Sequence, residues 1–311
     1  MTTSARVLVP ITITDAMILA GTSIAEPAAG ETAWVPAGTY ALGDECIRAT
    51  THKVYECVQA HTGRTALPEV DSAYWKEARP TMRWAPFDDY ANTQATAVTS
   101  LTYVLQPGFL NGLHLDNLVG TGYSVTVKDA PGGTVIASWS GDLYEQAAGP
   151  YELLYCPLLQ LTSLSFDDIP LAPAAEVTIT ITSTAGQPVG IGSIKAGDWR
   201  QFIGTGSFGG AQYGASSDLN NYSYRKYNAD GTYTTVKRAA SIDVNCAVVI
   251  DAEQAMYADA IRKEIKDVAV PFEASGLPRY GYLKTVGFVT LSIKADNSGA
   301  TSLNIIVKGT I

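Results

Sequence analysis

The sequence predicts a mainly β protein: a small aromatic β module, a β-sandwich and a C-terminal α+β part built around one helix. Three observations carry that expectation. Apolar and polar residues alternate with a period of two, the pattern of strands buried on one face. Val177, Ile179 and Ile181 alternate with Thr178, Thr180 and Thr182; Tyr123, Val125 and Val127 alternate with Ser124 and Thr126; Ile242, Val244, Cys246, Val248 and Ile250 give five inward positions in nine residues. The charged fraction is only 16% in a chain rich in Thr, Val, Gly and Tyr, which suits sheets whose surfaces are covered by partners. Helical spacing marks the segment 251–267, through Met256, Ala260, Ile261 and Ile265, with Asp251 and Gln254 spaced as a capping box.

The elements follow in order. Residues 1–30 form an N-terminal arm: Val7 to Ala20 is apolar but interrupted by Asp15 and preceded by no basic cluster beyond Arg6, so it is expected to belong to the fold and not to a secretion leader. The stretch Glu26 to Gly30 (EPAAG) reads as a linker into a module over 31–83, which ends in the proline-flanked stretch around Trp84. A sandwich is expected over 84–199, with Pro131-Gly132-Gly133 separating two of its strands. An α+β assembly domain spans 200–311: a glycine-rich loop from Gly204 to Gly214, a hairpin turning at Asp230-Gly231, then strand, helix, strand, strand. No run reaches the ~18 apolar residues of a membrane helix, so no membrane span is expected and the chain is expected to be made and kept in a cytoplasm.

Within the module a symmetric hairpin centred between Thr51 and His52 sets Cys46 opposite Cys57. Opposed residues lie ~4.5–5.5 Å apart at Cα, near enough for a disulfide or for two packed thiols. A reducing cytoplasm favours the thiols.

Composition and motifs exclude several functions. The net charge of −9 argues against nucleic acid as a partner. Gly204, Gly206 and Gly209 match G-x-G-x-x-G by letter, but no helix signal opens after them, as a dinucleotide site requires. His52, His61 and His114 form no metal-ligand spacing with the cysteines, so no metal or other cofactor is expected. His114 and Asp116 share a strand face, yet a triad needs a nucleophile that the sequence does not place. In Asp88-Asp89 and Asp167-Asp168 the neighbours point to opposite faces and cannot act as a carboxylate pair. The chain is expected not to be an enzyme.

Trp34, Tyr40, Tyr55, Tyr74, Trp75 and Trp84 put six large rings into 51 residues. With Gly43-Asp44 and Val54-Tyr55-Glu56-Cys57, their order resembles the small chitinase-type carbohydrate-binding modules over about 45 residues. That resemblance implies a module core of Trp34 and Tyr40 with a tight turn at Gly43-Asp44, and sugar-stacking candidates at Tyr55, His61 and Trp75.

Beyond the module, Ala5 to Met17, the string Arg83-Trp84-Ala85-Pro86-Phe87-Asp88 with Thr93-Gln94 after it, and the sandwich resemble tailed-bacteriophage tail-tip or baseplate proteins. The C-terminal element order is similar to the tail-tube-like β-barrel with one packed helix. These resemblances imply a structural virion protein of the distal tail, assembled in the host cytoplasm. Its partners would be its own copies in a symmetric ring, other phage tail proteins, and cell-surface polysaccharide through the module. The alternative is a secreted or surface carbohydrate-binding protein.

Overall fold

The computed structural model describes residues 4–90, 92–145, 149–205, 210–277 and 280–310. The chain is mainly β. After β1 (Arg6–Pro10), the module contributes β2 (Thr39–Tyr40), β3 (Glu45–Arg48), β4 (Lys53–Cys57), β5 (His61–Thr62) and β6 (Trp75–Pro80). The central stretch contributes β7 (Ala95–Val98), β8 (Ser100–Leu105), β9 (Gly112–Asp116), β10 (Gly122–Lys128) and β11 (Val135–Asp142), then helix α1 (Pro150–Tyr155). It continues with β12 (Leu164–Phe166), β13 (Glu176–Thr182), β14 (Pro188–Ile191) and β15 (Ser193–Gln201). The C-terminal stretch adds β16 (Gly210–Ala211), β17 (Ser216–Asn221), β18 (Tyr224–Tyr227), β19 (Tyr233–Val236), β20 (Ala240–Asp251), helix α2 (Ala255–Glu264), β21 (Ala269–Glu273), β22 (Lys284–Ala295) and β23 (Ala300–Gly309).

Two sheets make the body. Ten strands form one curled sheet in the order β12-β9-β15-β1-β21-β22-β23-β20-β16, with β17 also on β20. Four form a second sheet, β11-β10-β13-β8. Val177, Ile179 and Ile181 face inward from β13, as their alternation requires, and pack with Leu101, Tyr103, Leu105, Val125 and Val127. Across from them lie Leu113, Leu115, Ile194 and Ala196 of β9 and β15, so the small sheet and one flank of the long sheet form the sandwich. Directly opposed residues share a face. By register, Val7 of β1 continues the same face and begins a second cluster, with Val244, Cys246, Val248, Phe272, Ile305 and the inner side of α2.

The long sheet crosses the expected boundary at 199/200. Strands from the central and C-terminal stretches meet there on either side of β1, which pairs antiparallel with β15 and with β21. The N-terminal arm is thus an internal strand. Nor is Glu26 in a free linker: its carboxylate is nearly buried and accepts from Thr81 Oγ1 at 2.6 Å.

Helix α2 forms where the spacing placed it, but it starts later. Residues Ala252–Gln254 are a 3₁₀ turn, and Asp251 caps nothing with its side chain, which instead accepts from Thr205 N and Oγ1. The capping box does not form. Ala258, Ile261 and Ile265 are buried, whereas Met256 is 80% exposed and Ile242 of β20 also faces solvent. Helix α1, which the periodicity did not indicate, begins at Pro150 in its first turn, where proline's missing N–H costs nothing, and stops ahead of Pro157. Part of the glycine-rich stretch is strand β16, paired with β20; Gly206 and Gly209 lie outside the described residues.

Candidate functional site

The module is built around its rings. Trp34, Cys46, Tyr55, Cys57 and Trp75 form its buried core, with Tyr40 and Tyr74 packed against them. Gly43 has a φ of 87°, which favours glycine, and closes a tight turn in which its N–H donates to Cys57 O and Cys57 N–H donates to Asp44 O, both at 2.8 Å. The Asp44 carboxylate accepts from Ala41 N.

Three expectations change. The β3–β4 hairpin pairs Arg48 with Lys53 and Cys46 with Tyr55, not with Cys57. The turn is four residues, Ala49 to His52, and closes through His52 in the left-handed region at φ 55°, moving the hairpin centre back by one residue. Cys46 and Cys57 become diagonal neighbours and are free thiols; burial first, then the neighbouring Cys57, pushes Cys46 up to about 12. Tyr55 and Trp75, only 4% and 2% exposed, are core rings with no free face for a pyranose. His61 sits 5.3–5.4 Å from Tyr40, Tyr74 and Trp75 by ring centroid, with both ring nitrogens buried and unpartnered within the protein. It packs half-buried against the edge of the core.

What remains is a shallow groove of about 480 Å³ beside Tyr55 and Trp75. Thr51, Ser72, Glu69 and Glu77 supply its polar rim, and Tyr55 Oη lies 3.2 Å from Thr51 Oγ1. Lys53 pairs with Glu77 at 2.6 Å and Arg48 with Glu69 at 3.2 Å, so the rim carboxylates already have cations. Hydroxyls and carboxylates around ring edges can hydrogen-bond a polyhydroxylated ligand. These rim residues carry no sequence pattern that would have singled them out.

The Arg83-to-Asp88 string welds module to body. Trp84 stacks on His52 at 4.2 Å and meets Phe87 edge-on; Phe87 in turn packs edge-on against Tyr103 of the sandwich, whose hydroxyl donates to Arg83 O. His52 also contacts Glu26 and Asp15 at 3.0 and 3.2 Å. Asp88 accepts from Thr93 Oγ1 and Tyr90 N, and its burial raises its pKa. Lys195, whose pKa burial lowers, donates to Asp88 O and lies 3.7 Å from Asp89.

A buried polar chain crosses the other face of the long sheet. Arg6 donates to Glu273 and Asp167 and stacks over Trp199; Ser165 Oγ donates to Glu273 Oε1 at 2.6 Å; His114 Nδ1 lies 2.8 Å from Ser165 Oγ. Ser165 has one proton, and Glu273 takes it, so His114 Nδ1–H is the donor to the serine. A nucleophile would need the reverse, with its proton given to the imidazole. Burial pushes the His114 pKa down to about 4. The arrangement ties β1, β9, β12 and β21 together.

The most conspicuous surface is uncovered. Tyr151, Leu153, Leu154, Tyr155, Leu158 and Leu159 are all exposed, four of them on α1. The β18–β19 ribbon stands off the body with Tyr224, Tyr227 and Tyr233 exposed. Among the described residues, no group of three or more His, Cys, Asp or Glu side chains is arranged to hold a metal, and no helix is long and apolar enough to cross a membrane. No family model, no curated protein and no solved structure matches the chain.

Proposed function

We propose that the chain is a non-enzymatic structural component that assembles with copies of itself, at the distal end of a bacteriophage tail in the virion. The carrying observation is the segment Tyr151–Leu159, in which six of nine residues are large, apolar and exposed. A contiguous apolar run of this kind is stable in water when another surface covers it. Low charge over the rest of the chain supports the same reading. Placement in a phage tail rests on the Arg83-to-Asp88 string and its resemblance. Light scattering of the purified chain tests the assembly: an oligomer is expected, with Leu154→Lys weakening it while the circular dichroism spectrum is unchanged. A stable wild-type monomer, absent from purified phage particles, overturns the proposal.

A second reading, binding of cell-surface glycan by the module, is favoured by the Thr51–Glu69–Ser72–Glu77 groove beside Tyr55 and Trp75. Retention on immobilised chitin or lipopolysaccharide, abolished by Ser72→Trp, which fills the groove, supports it. Retention unaffected by Ser72→Trp sinks it.

A further inference from the structure

The two outer strands of the β11-β10-β13-β8 sheet are finished differently. Leu143 N–H donates to Thr121 O, one step beyond the Gly122–Asp142 pair, so the hydrogen-bonded pairs of β10 and β11 alternate back from there through Tyr123–Gly141, Val125–Trp139 and Val127–Ala137. Ser138, Ser140 and Asp142 therefore turn their N–H and C=O groups outward. The same alternation, carried across β13, turns Thr102, Val104 and Gln106 of β8 outward. There the N-terminal arm closes the edge: Ser23 N–H donates to Thr102 O, Leu19 N–H to Val104 O, and Gln106 N–H to Met17 O, each at 2.8 Å, while Thr102 N–H and Val104 N–H reach Ser23 Oγ and Thr22 Oγ1. Among the described residues, the corresponding groups of β11 have no partner.

An unpaired edge is a template for another strand, and proteins blunt such edges with lysine, proline, a cover or brevity. The strand β12, which ends the long sheet, is only three residues long. By contrast β11 runs for eight residues, VIASWSGD, without lysine, arginine or proline, and Asp142 at its end is its one charge. Its irregularity, Ile136 passed over between Val135 and Ala137, lies at the start and leaves Ala137 to Asp142 in regular register. Ser138, Ser140 and Asp142 are all exposed.

We infer that β11 pairs antiparallel with β11 of a second copy, about a two-fold axis through Ser140, so that the sheet runs on from one copy into the next. The edge is complementary to itself in this register. Ser140 opposes Ser140 and Ser138 opposes Asp142, so every outward backbone group finds a partner and no carboxylate meets another. On the inner face Trp139 opposes Gly141, whose missing side chain leaves room for the half-buried ring that packs 5.1 Å from Phe166. Such an isologous contact closes at two copies. A larger assembly needs a second contact, for which Tyr151–Leu159 is a separate surface. This rests on the self-assembly reading and specifies one of its contacts.

The full chain is measured by sedimentation velocity and by amide hydrogen exchange over a concentration series. Ser140→Pro deletes an N–H that the single copy leaves unbonded, so the circular dichroism spectrum stays unchanged while association weakens about tenfold or more. Ser140→Lys sets two ammonium groups opposite each other and weakens association more than Ser138→Lys, which meets Asp142. With no substitution at all, exchange at Ser138, Ser140 and Asp142 slows as the concentration rises, while exchange at Thr102 and Val104 does not change. An oligomer indifferent to Ser140→Pro, or one in which the three β11 amides exchange at the same rate at every concentration, overturns the β11 contact and leaves self-assembly standing. A wild-type chain that is monomeric throughout removes the self-assembly reading and this contact with it.

Discussion

The β10–β11 and β18–β19 hairpins share a construction and differ in what lies beneath them. Both turn through glycine at positive φ, Gly132 in the first and Gly231 in the second, and both carry alternating sequences. In the first, Val125 and Val127 drop into the sandwich against Ile179 and Val177. In the second, tyrosines and cations replace the aliphatics, and no residue is buried. Alternation is thus a statement about strand geometry, while the chemistry of the repeating residue decides whether a core or another molecule receives it.

The sharpest break of that contrast is Ile179→Ala, which empties the core position beside Val125 of β10. A loss of about 2–5 kcal/mol is expected from urea unfolding, because the site is fully buried among neighbours that collapse only partly. Acid probes the packed body next. The folded chain holds His114 neutral down to about pH 4, whereas the unfolded imidazole takes its proton near 6.5. Between those values the unfolded state binds more protons, so this contribution to stability is complete above pH 6.5 and falls as the pH drops, by an order of ~3 kcal/mol at pH 4. Urea midpoints at pH 7, 5.5 and 4.5 check this, and His114→Asn should flatten the dependence. In the uncovered ribbon, Tyr227→Ala should change unfolding of the isolated chain by no more than about 0.5 kcal/mol. A larger loss would mean that the ribbon packs on its own body. The smallest effect is chemical: Cys156, exposed at the end of α1, should be alkylated first in the native protein, and buried Cys46, Cys57 and Cys246 slowly. Mass spectrometry of labelled peptides reads the order, and assembly through α1 should slow Cys156.

Much of the fold was legible because local pattern and burial agree. The strands of β10, β13 and β20 fall where alternation placed them, and α2 where helical spacing did. Ile242 misled because β20 ends its buried face one position short, and Met256 and Ala260 because the buried stripe of α2 runs through Ala258, Ile261 and Ile265 and leaves both of them outward. The sheet order was not legible: nothing local says that β1 pairs with strands nearly 200 and 270 residues away. At the module, Trp34, Tyr55 and Trp75 are consumed by the core, with Tyr40 packed against it and His61 half-buried beside its rings. A module with so few residues has little else to fill its interior, so its largest rings turn inward. The rim of the module's groove is assembled from separate segments and leaves no trace in sequence.

The position of β1 has a consequence for synthesis. Arg6 leaves the ribosome long before Gln201 and Glu273, the residues that flank it in the sheet. At ~5–20 residues per second, β1 waits on the order of 13–50 s for the second of these neighbours. The long sheet therefore closes only after residue 273 has been made, and until then one side of its middle strand is an unpaired edge.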